Sequence, residues 1–128
     1  MNPLMKIEIN KYILINNLLS KIKDVYPSIA SHFFCLQYIY GTAKNDFPYL
    51  EVEKEINQSE YGKIFSYEEA LLFFDKMTDI YELLILVSPT KEKFRRYKKE
   101  DERYENNLIV IEYFYSGHIE INTVISCG

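Results

Sequence analysis

The sequence predicts a single α+β domain over residues 1–128, with a mostly antiparallel sheet of about five to six strands and two main helices packed on it. Three observations lead there. Two segments carry apolar residues at helical spacing, one closed by Pro27 and one opened by the S-x-x-E pattern of Ser66 and Glu69. Several short segments alternate apolar with polar residues or run as unbroken branched aliphatics, as strands do. The last two of these flank Ser116 and Gly117, turn residues that fold them into a hairpin.

Taken in order, Met5, Ile7 and Ile9 alternate with Lys6, Glu8 and Asn10, the period of a short half-buried strand. From Lys11 to Tyr26 the residues Tyr12, Ile15, Leu18, Leu19, Ile22 and Val25 recur at three and four, one helix stripe that Pro27 ends. The aromatic and apolar run from His32 to Gly41 reads as a strand covered on both faces, with a helix opened by Pro27 as its competitor. Tyr49 to Ile56 reads as a further strand, with Leu50, Val52 and Ile56 on one face and Tyr49, Glu51, Glu53 and Glu55 on the other. The Gly41 to Pro48 connection, carrying Asn45 and Asp46, would make these two runs a hairpin.

Asn57 to Gly62 is polar and turn-like. The second helix then runs from Ser66 to Asp79, its buried stripe supplied by Ala70, Leu71, Phe73, Phe74, Met77 and Ile80. Leu83 to Val87, bounded by Ser88 and Pro89, has the composition of a central strand. Between Thr90 and Glu105 the charge-dense chain fits either a third helix over 90–104 or an irregular hairpin. Two strands, Asn107 to Tyr115 and His118 to Ser126, complete the chain.

The register of that final hairpin follows from its faces, since a slip of one residue moves every side chain to the other side. A two-residue loop would place Glu112 among Val110, Phe114, Ile119 and Ile121. A three-residue loop with Gly117 in a left-handed bulge gathers Ile109, Ile111, Tyr113, Ile119, Ile121 and Ile125 instead, and sends Glu112 and Glu120 outward. The second register is expected, because it buries no unpaired carboxylate.

Composition narrows the function classes. Hydrophobic residues make up 48% of the chain and charged residues 27%, the balance of a globular domain that folds unaided. The first ten residues hold no apolar stretch of signal-peptide length and no segment is long enough to span a bilayer, so a cytoplasmic location and no membrane partner are expected. Cys35 and Cys127 form neither a disulfide framework nor a metal-binding spacing. A net charge of -4 makes nucleic acid an unfavoured partner and a basic protein a favoured one. Twelve tyrosines exceed the needs of one small core, which places some of them on a binding surface.

Chemistry-bearing motifs are missing: there is no H-x-x-x-H, paired CxxC, EF-hand, glycine-rich phosphate loop or G-x-S-x-G pattern. No catalytic residue, metal or cofactor is therefore assigned, and the chain is expected not to be an enzyme. On a strand, His32 and Cys35 point to opposite faces and cannot form a dyad. His118, Glu120 and Asn122 share a strand face with Glu112 close across the hairpin, an arrangement open to metal or acid-base work but more simply a solvated face. A small enzyme with a site scattered over His32, His118, Glu112, Glu120 and tyrosines is the alternative.

The feature chosen as the binding site is the acidic row of Glu51, Glu53 and Glu55 beside Tyr49, with Glu112 and Glu120 added from the hairpin. On one strand face alternate carboxylates stand roughly 7 Å apart, a line of negative charge suited to a cationic partner. In size, acidity and lack of catalytic motifs the chain resembles bacterial immunity proteins, which block a cognate toxin in their own cytoplasm. That profile implies an inhibitor of a basic partner, such as a nuclease toxin. A second alternative is nucleic-acid contact through Lys93, Arg95, Arg96, Tyr97 and Lys98, in a stretch where seven positive charges are largely balanced by five negative ones.

Overall fold

The computed structural model describes residues 5–10 and 13–123. Its elements are β1 (Met5–Ile9), α1 (Ile15–Val25), β2 (Phe33–Ala43), α2 (Tyr49–Gln58), β3 (Lys63–Ser66), α3 (Tyr67–Asp75), β4 (Met77–Ser88), α4 (Glu100–Asn106), β5 (Ile109–Phe114) and β6 (His118–Thr123), with a 3-10 turn at Pro27–Ser31 after α1. The six strands form one sheet in the order β1-β6-β5-β4-β2-β3, and every neighbouring pair is antiparallel. This is the expected α+β architecture. Among the described residues no helix is long and apolar enough to cross a membrane.

One face of the sheet carries the main core. Phe34, Leu36 and Ile39 of β2, Leu83, Ile85 and Val87 of β4, and Ile109 and Ile111 of β5 meet Ile15, Leu18 and Leu19 of α1, Ile56 of α2, and Ala70, Phe73 and Phe74 of α3. α3 begins where the sequence places it. Ser66 Oγ accepts from the Glu69 amide at 3.1 Å, and Glu69 Oε1 accepts from the Ser66 amide at 2.9 Å. Those bonds favour the ionised carboxylate and hold the Glu69 carboxyl below its usual range.

Three expectations are corrected. The segment expected as a strand over Tyr49–Ile56 is the helix α2, because Tyr49 and Ile56, seven apart on a helix, are the residues that go inside while Leu50 is exposed. β2 therefore pairs with β3 and β4, and the expected hairpin with Tyr49–Ile56 does not form. The α3 helix stops at Asp75, since Met77 and Ile80 are drawn into β4 by the ladder that Gly41, Thr42 and Ala43 extend to them. A further four-residue strand, β3, forms at Lys63–Ser66, between the turn-like stretch and the body of the second helix, where the sequence pattern assigned no strand.

The remaining elements bear the reading out. α1 lies within the expected 11–26 segment, and β5 and β6 pair with Phe114 opposite His118 around a three-residue loop whose Gly117 has φ +82°. Residues 11 and 12, with Tyr12 of the helix stripe, lie outside the described residues, as do Ile125, Ser126 and Cys127.

The other face of the sheet is half covered. The irregular stretch 89–99 and α4 lie over Cys35 of β2, Leu86 of β4 and Val110 of β5, and insert Phe94, which is 4% exposed. Burying one such ring contributes about 2 kcal/mol. The helical alternative for 90–104 thus holds only over its last turns, and Phe94 acts as the anchor of a strap.

Candidate binding face

The uncovered half of the outer sheet face owes its chemistry to two interruptions of strand register. In β2 the pairing with β4 shifts between Leu36 and Tyr38, leaving Gln37 as an extra residue. Its side chain is 2% exposed, and its amide nitrogen donates to the carbonyls of Tyr61 at 2.9 Å and Arg95 at 2.8 Å. Beyond the bulge the alternation has reversed, so Ile39 faces the helices while Tyr38 and Tyr40 take the side that Cys35 occupied before it. A second shift, where Tyr40 pairs with Glu82 but Gly41 with Ile80, leaves Tyr81 over on β4. A Cβ on Gly41 would run into the Asp79 carbonyl, so this close approach requires glycine.

The result is a triangle of rings. Tyr40 and Tyr81 lie 5.7 Å apart between centroids, Tyr81 and Tyr115 5.9 Å, and Tyr40 and Tyr115 6.5 Å. Tyr38 and Phe114 flank it, and Phe114 packs on the His118 ring at 5.7 Å. All five aromatics are at least 38% exposed, and Tyr115 reaches 69%. Carboxylates stand beside them: burial first, then the nearby Glu82 and Glu53, raise the pKa of the Tyr38 phenol.

The acidic row expected on Tyr49–Ile56 does not exist as a row. Alternate residues of a helix point roughly 200° apart, so Glu51, Glu53 and Glu55 cannot share a face. Glu51 and Glu55 are exposed, whereas Glu53 turns toward the sheet and accepts from Tyr49 Oη at 2.7 Å. Tyr49 is 9% exposed and belongs to the interior, with its phenol pKa pushed up by burial and by Glu53. Of the four residues, Glu53 and the Tyr49 phenol it accepts from lie near Tyr38 of the tyrosine face, while Glu51 and Glu55 are exposed on the helix.

Carboxylates nevertheless form a line, across strands rather than along one. Glu8 of β1 sits opposite Glu120 of β6, which sits opposite Glu112 of β5. Like charges so placed repel, and each is answered. Lys6 Nζ lies 2.7 Å from Glu120 and 3.4 Å from Glu8, and His118 Nε2 lies 3.4 Å from Glu120. The Lys6 contact holds the Glu120 carboxyl below its usual range. Glu112 is only 8% exposed because α4 covers it: Tyr104 Oη donates to it at 2.8 Å and Arg103 Nη1 lies 3.6 Å away. Glu112 is thus a covered structural acid and not part of a solvated face.

Glu8, His118 and Glu120 could each turn one ligand atom to a common cation, those atoms lying within 4.8 Å of one another. The Lys6 ammonium already supplies positive charge there, and His118 Nδ1 is engaged with Asn10 Oδ1 at 2.6 Å. Asn122, expected with them, is 3% exposed and opposite Lys6 and Val110 in register. Elsewhere His32 Nε2 meets Tyr26 Oη at 2.7 Å, while Cys35 donates to the Tyr61 carbonyl and its thiol is pushed up to about 11 by burial. At neutral pH that sulfur is a packed thiol and not a nucleophile.

The basic segment serves the fold first. Arg96 donates to the carbonyls of Gln37 at 2.7 Å, Ile56 at 2.8 Å and Ser59 at 2.9 Å, fastening the strap to β2 and to the C-terminal end of α2. Tyr97 Oη donates to the Lys93 carbonyl, and Arg95 stacks over the Tyr97 ring at 5.8 Å. Lys93, Arg95, Arg96 and Lys98 are exposed and Tyr97 is half-buried, with the Arg96 guanidinium committed to the three carbonyls.

The signal that the sequence reading missed is the tyrosine triangle. Its members come from β2, β4 and the β5–β6 turn, and nothing in their spacing shows that two bulges gather them. No protein-family model, no curated protein and no solved structure matches the chain.

Proposed function

We propose that this protein is an acidic binding module that covers a cationic surface of another protein in the same cytoplasm, as an immunity-type inhibitor blocks a basic toxin such as a nuclease. The observation that carries this reading is the tyrosine face: Tyr38, Tyr40, Tyr81, Phe114 and Tyr115 left uncovered beside Glu53 and Glu82. Tyrosine brings large contact area at small entropic cost and is enriched where binding energy concentrates. The neighbouring carboxylates and the net charge of -4 supply steering toward a basic partner. The site assigned from sequence shifts accordingly, keeping Glu53 and giving up Tyr49 and Glu112.

The test is capture from the lysate of the source organism at low and moderate salt, with the wild-type chain, a Tyr40→Ala/Tyr115→Ala variant and a Glu53→Gln/Glu82→Gln variant side by side. The wild type should retain one stoichiometric basic protein that the tyrosine variant loses. The carboxylate variant should associate about tenfold more slowly at low salt, with a weaker salt dependence. Retention of the partner by the tyrosine variant would sink the proposal.

A further inference from the structure

β1 ends the sheet: β6 pairs with it on one side, and among the described residues no strand pairs with the other. A free edge presents unpaired main-chain groups to any other strand, and proteins commonly blunt it with proline, a bulge or like charge. The β1 segment, MKIEI, has no proline and runs opposite β6 without a register shift. Its two charges, Lys6 and Glu8, are of opposite sign and share one face. On the other face Ile7 is 45% exposed, although it stands opposite Ile121, a core residue at 6%.

That pattern is complementary to itself. When two copies of a strand pair antiparallel about a twofold axis, opposite residues lie on the same face of the sheet, so the axis passes through a residue and not between two. An axis at Lys6 sets Lys6 opposite Lys6 of the second copy, and an axis at Glu8 sets Glu8 opposite Glu8, both repulsive. An axis at Ile7 sets Ile7 on Ile7 and each Lys6 opposite the other copy's Glu8. Ile7 is also the middle residue of β1, so this register alone pairs the strand over its whole length. It also relieves the line of carboxylates across the sheet: Glu112, Glu120 and Glu8 stand in adjacent strands, and Lys6 of the second copy takes the next place in that row.

We propose that β1 is a self-association edge, at which two copies of this chain pair antiparallel through Met5–Ile9 about an axis at Ile7 and continue one sheet into the other. The surface is distinct from the tyrosine face, whose members lie on β2, β4 and at the β5–β6 turn. A contact made by one short strand is small, so the dissociation constant should be on the order of 10–100 µM.

Sedimentation equilibrium of the full chain, from about 5 µM to about 1 mM, measures the association. Lys6→Glu and Glu8→Lys each set like charges opposite one another on both sides of the axis, and each should weaken self-association at least about tenfold. Mixed in equal amounts, the two variants oppose a carboxylate to an ammonium at every charged position and should associate about as tightly as the wild type. Recovery on mixing separates pairing from damage, because Lys6→Glu also gives up the Glu120 contact within its own chain. If either variant loses the native circular dichroism spectrum, Ile7→Lys takes its place, puts two ammonium groups at the axis, and should remain monomeric throughout the range.

A wild type that stays monomeric up to about 1 mM, association unchanged by Lys6→Glu and Ile7→Lys, or natively folded charge variants that do not associate on mixing would each overturn the proposal. None of these substitutions touches the tyrosine face, so a failure here leaves the capture experiment's expectation as it stands.

Discussion

Asn57 of α2 closes both main-chain groups of Ile39 in β2, its Oδ1 accepting from the Ile39 amide at 3.1 Å and its Nδ2 donating to the Ile39 carbonyl at 3.2 Å. β3 covers that edge of β2 only from Phe33 to Leu36, so one side chain stands in for the missing strand. Asn57→Ala should lower stability by about 1–3 kcal/mol, measured from urea unfolding at unchanged slope, because two buried main-chain groups lose their partner. The exchange of the Ile39 amide with solvent should accelerate more than that of Phe34. Unaltered protection of Ile39 would mean that the side chain is not what shields it.

Arg96 invites a comparison with its neighbours. Its guanidinium reaches three carbonyls from two separate segments, so Arg96→Ala should cost about 2 kcal/mol, and Arg96→Lys should recover little of it. Lys98→Ala, at an exposed position, should stay within about 0.5 kcal/mol of the wild type. Equal effects at the two positions would show that the strap does not depend on this fastening.

His32 sets a pH dependence whose sign follows from burial. Burial lowers its pKa below the ordinary 6.5, so the unfolded chain takes up the proton more readily than the native one. Stability from this group is fully present above about pH 6.5 and declines as the pH falls through the window below it. Urea midpoints at pH 7 and pH 5 should differ less in His32→Gln than in the wild type. An identical pH dependence would remove His32 from the acid-sensitive groups.

How far the sequence could be read depended on whether a residue's neighbours in space were also its neighbours along the chain. The capping box of Ser66 and Glu69 is local, and so is the turn at Gly117, whose register followed from where Glu112 had to go. The segment from Tyr49 to Ile56 satisfies two periods at once. Alternation puts Leu50, Val52 and Ile56 together, while helical spacing puts Tyr49, Val52 and Ile56 together, and packing chose the second. That choice dissolved the carboxylate row on which the expected site stood. The tyrosine face was illegible for a different reason: tyrosine and glutamate at positions 38–40 and 81–82 look alike on either side of a strand until the bulges assign the side.

Gln37 occupies one position, yet it decides which half of β2 the outside world meets. Removing it would leave Leu36 directly before Tyr38 and keep Ile39 toward the helices with Tyr38 and Tyr40 outward, because the pairing already passes from Leu36–Ile85 to Tyr38–Leu84. Taking Gln37 into regular pairing would do the opposite and turn both tyrosines inward. The loss of this one codon would therefore spare the facing of the recognition surface, whereas the loss of the bulge at constant length would turn it inside out.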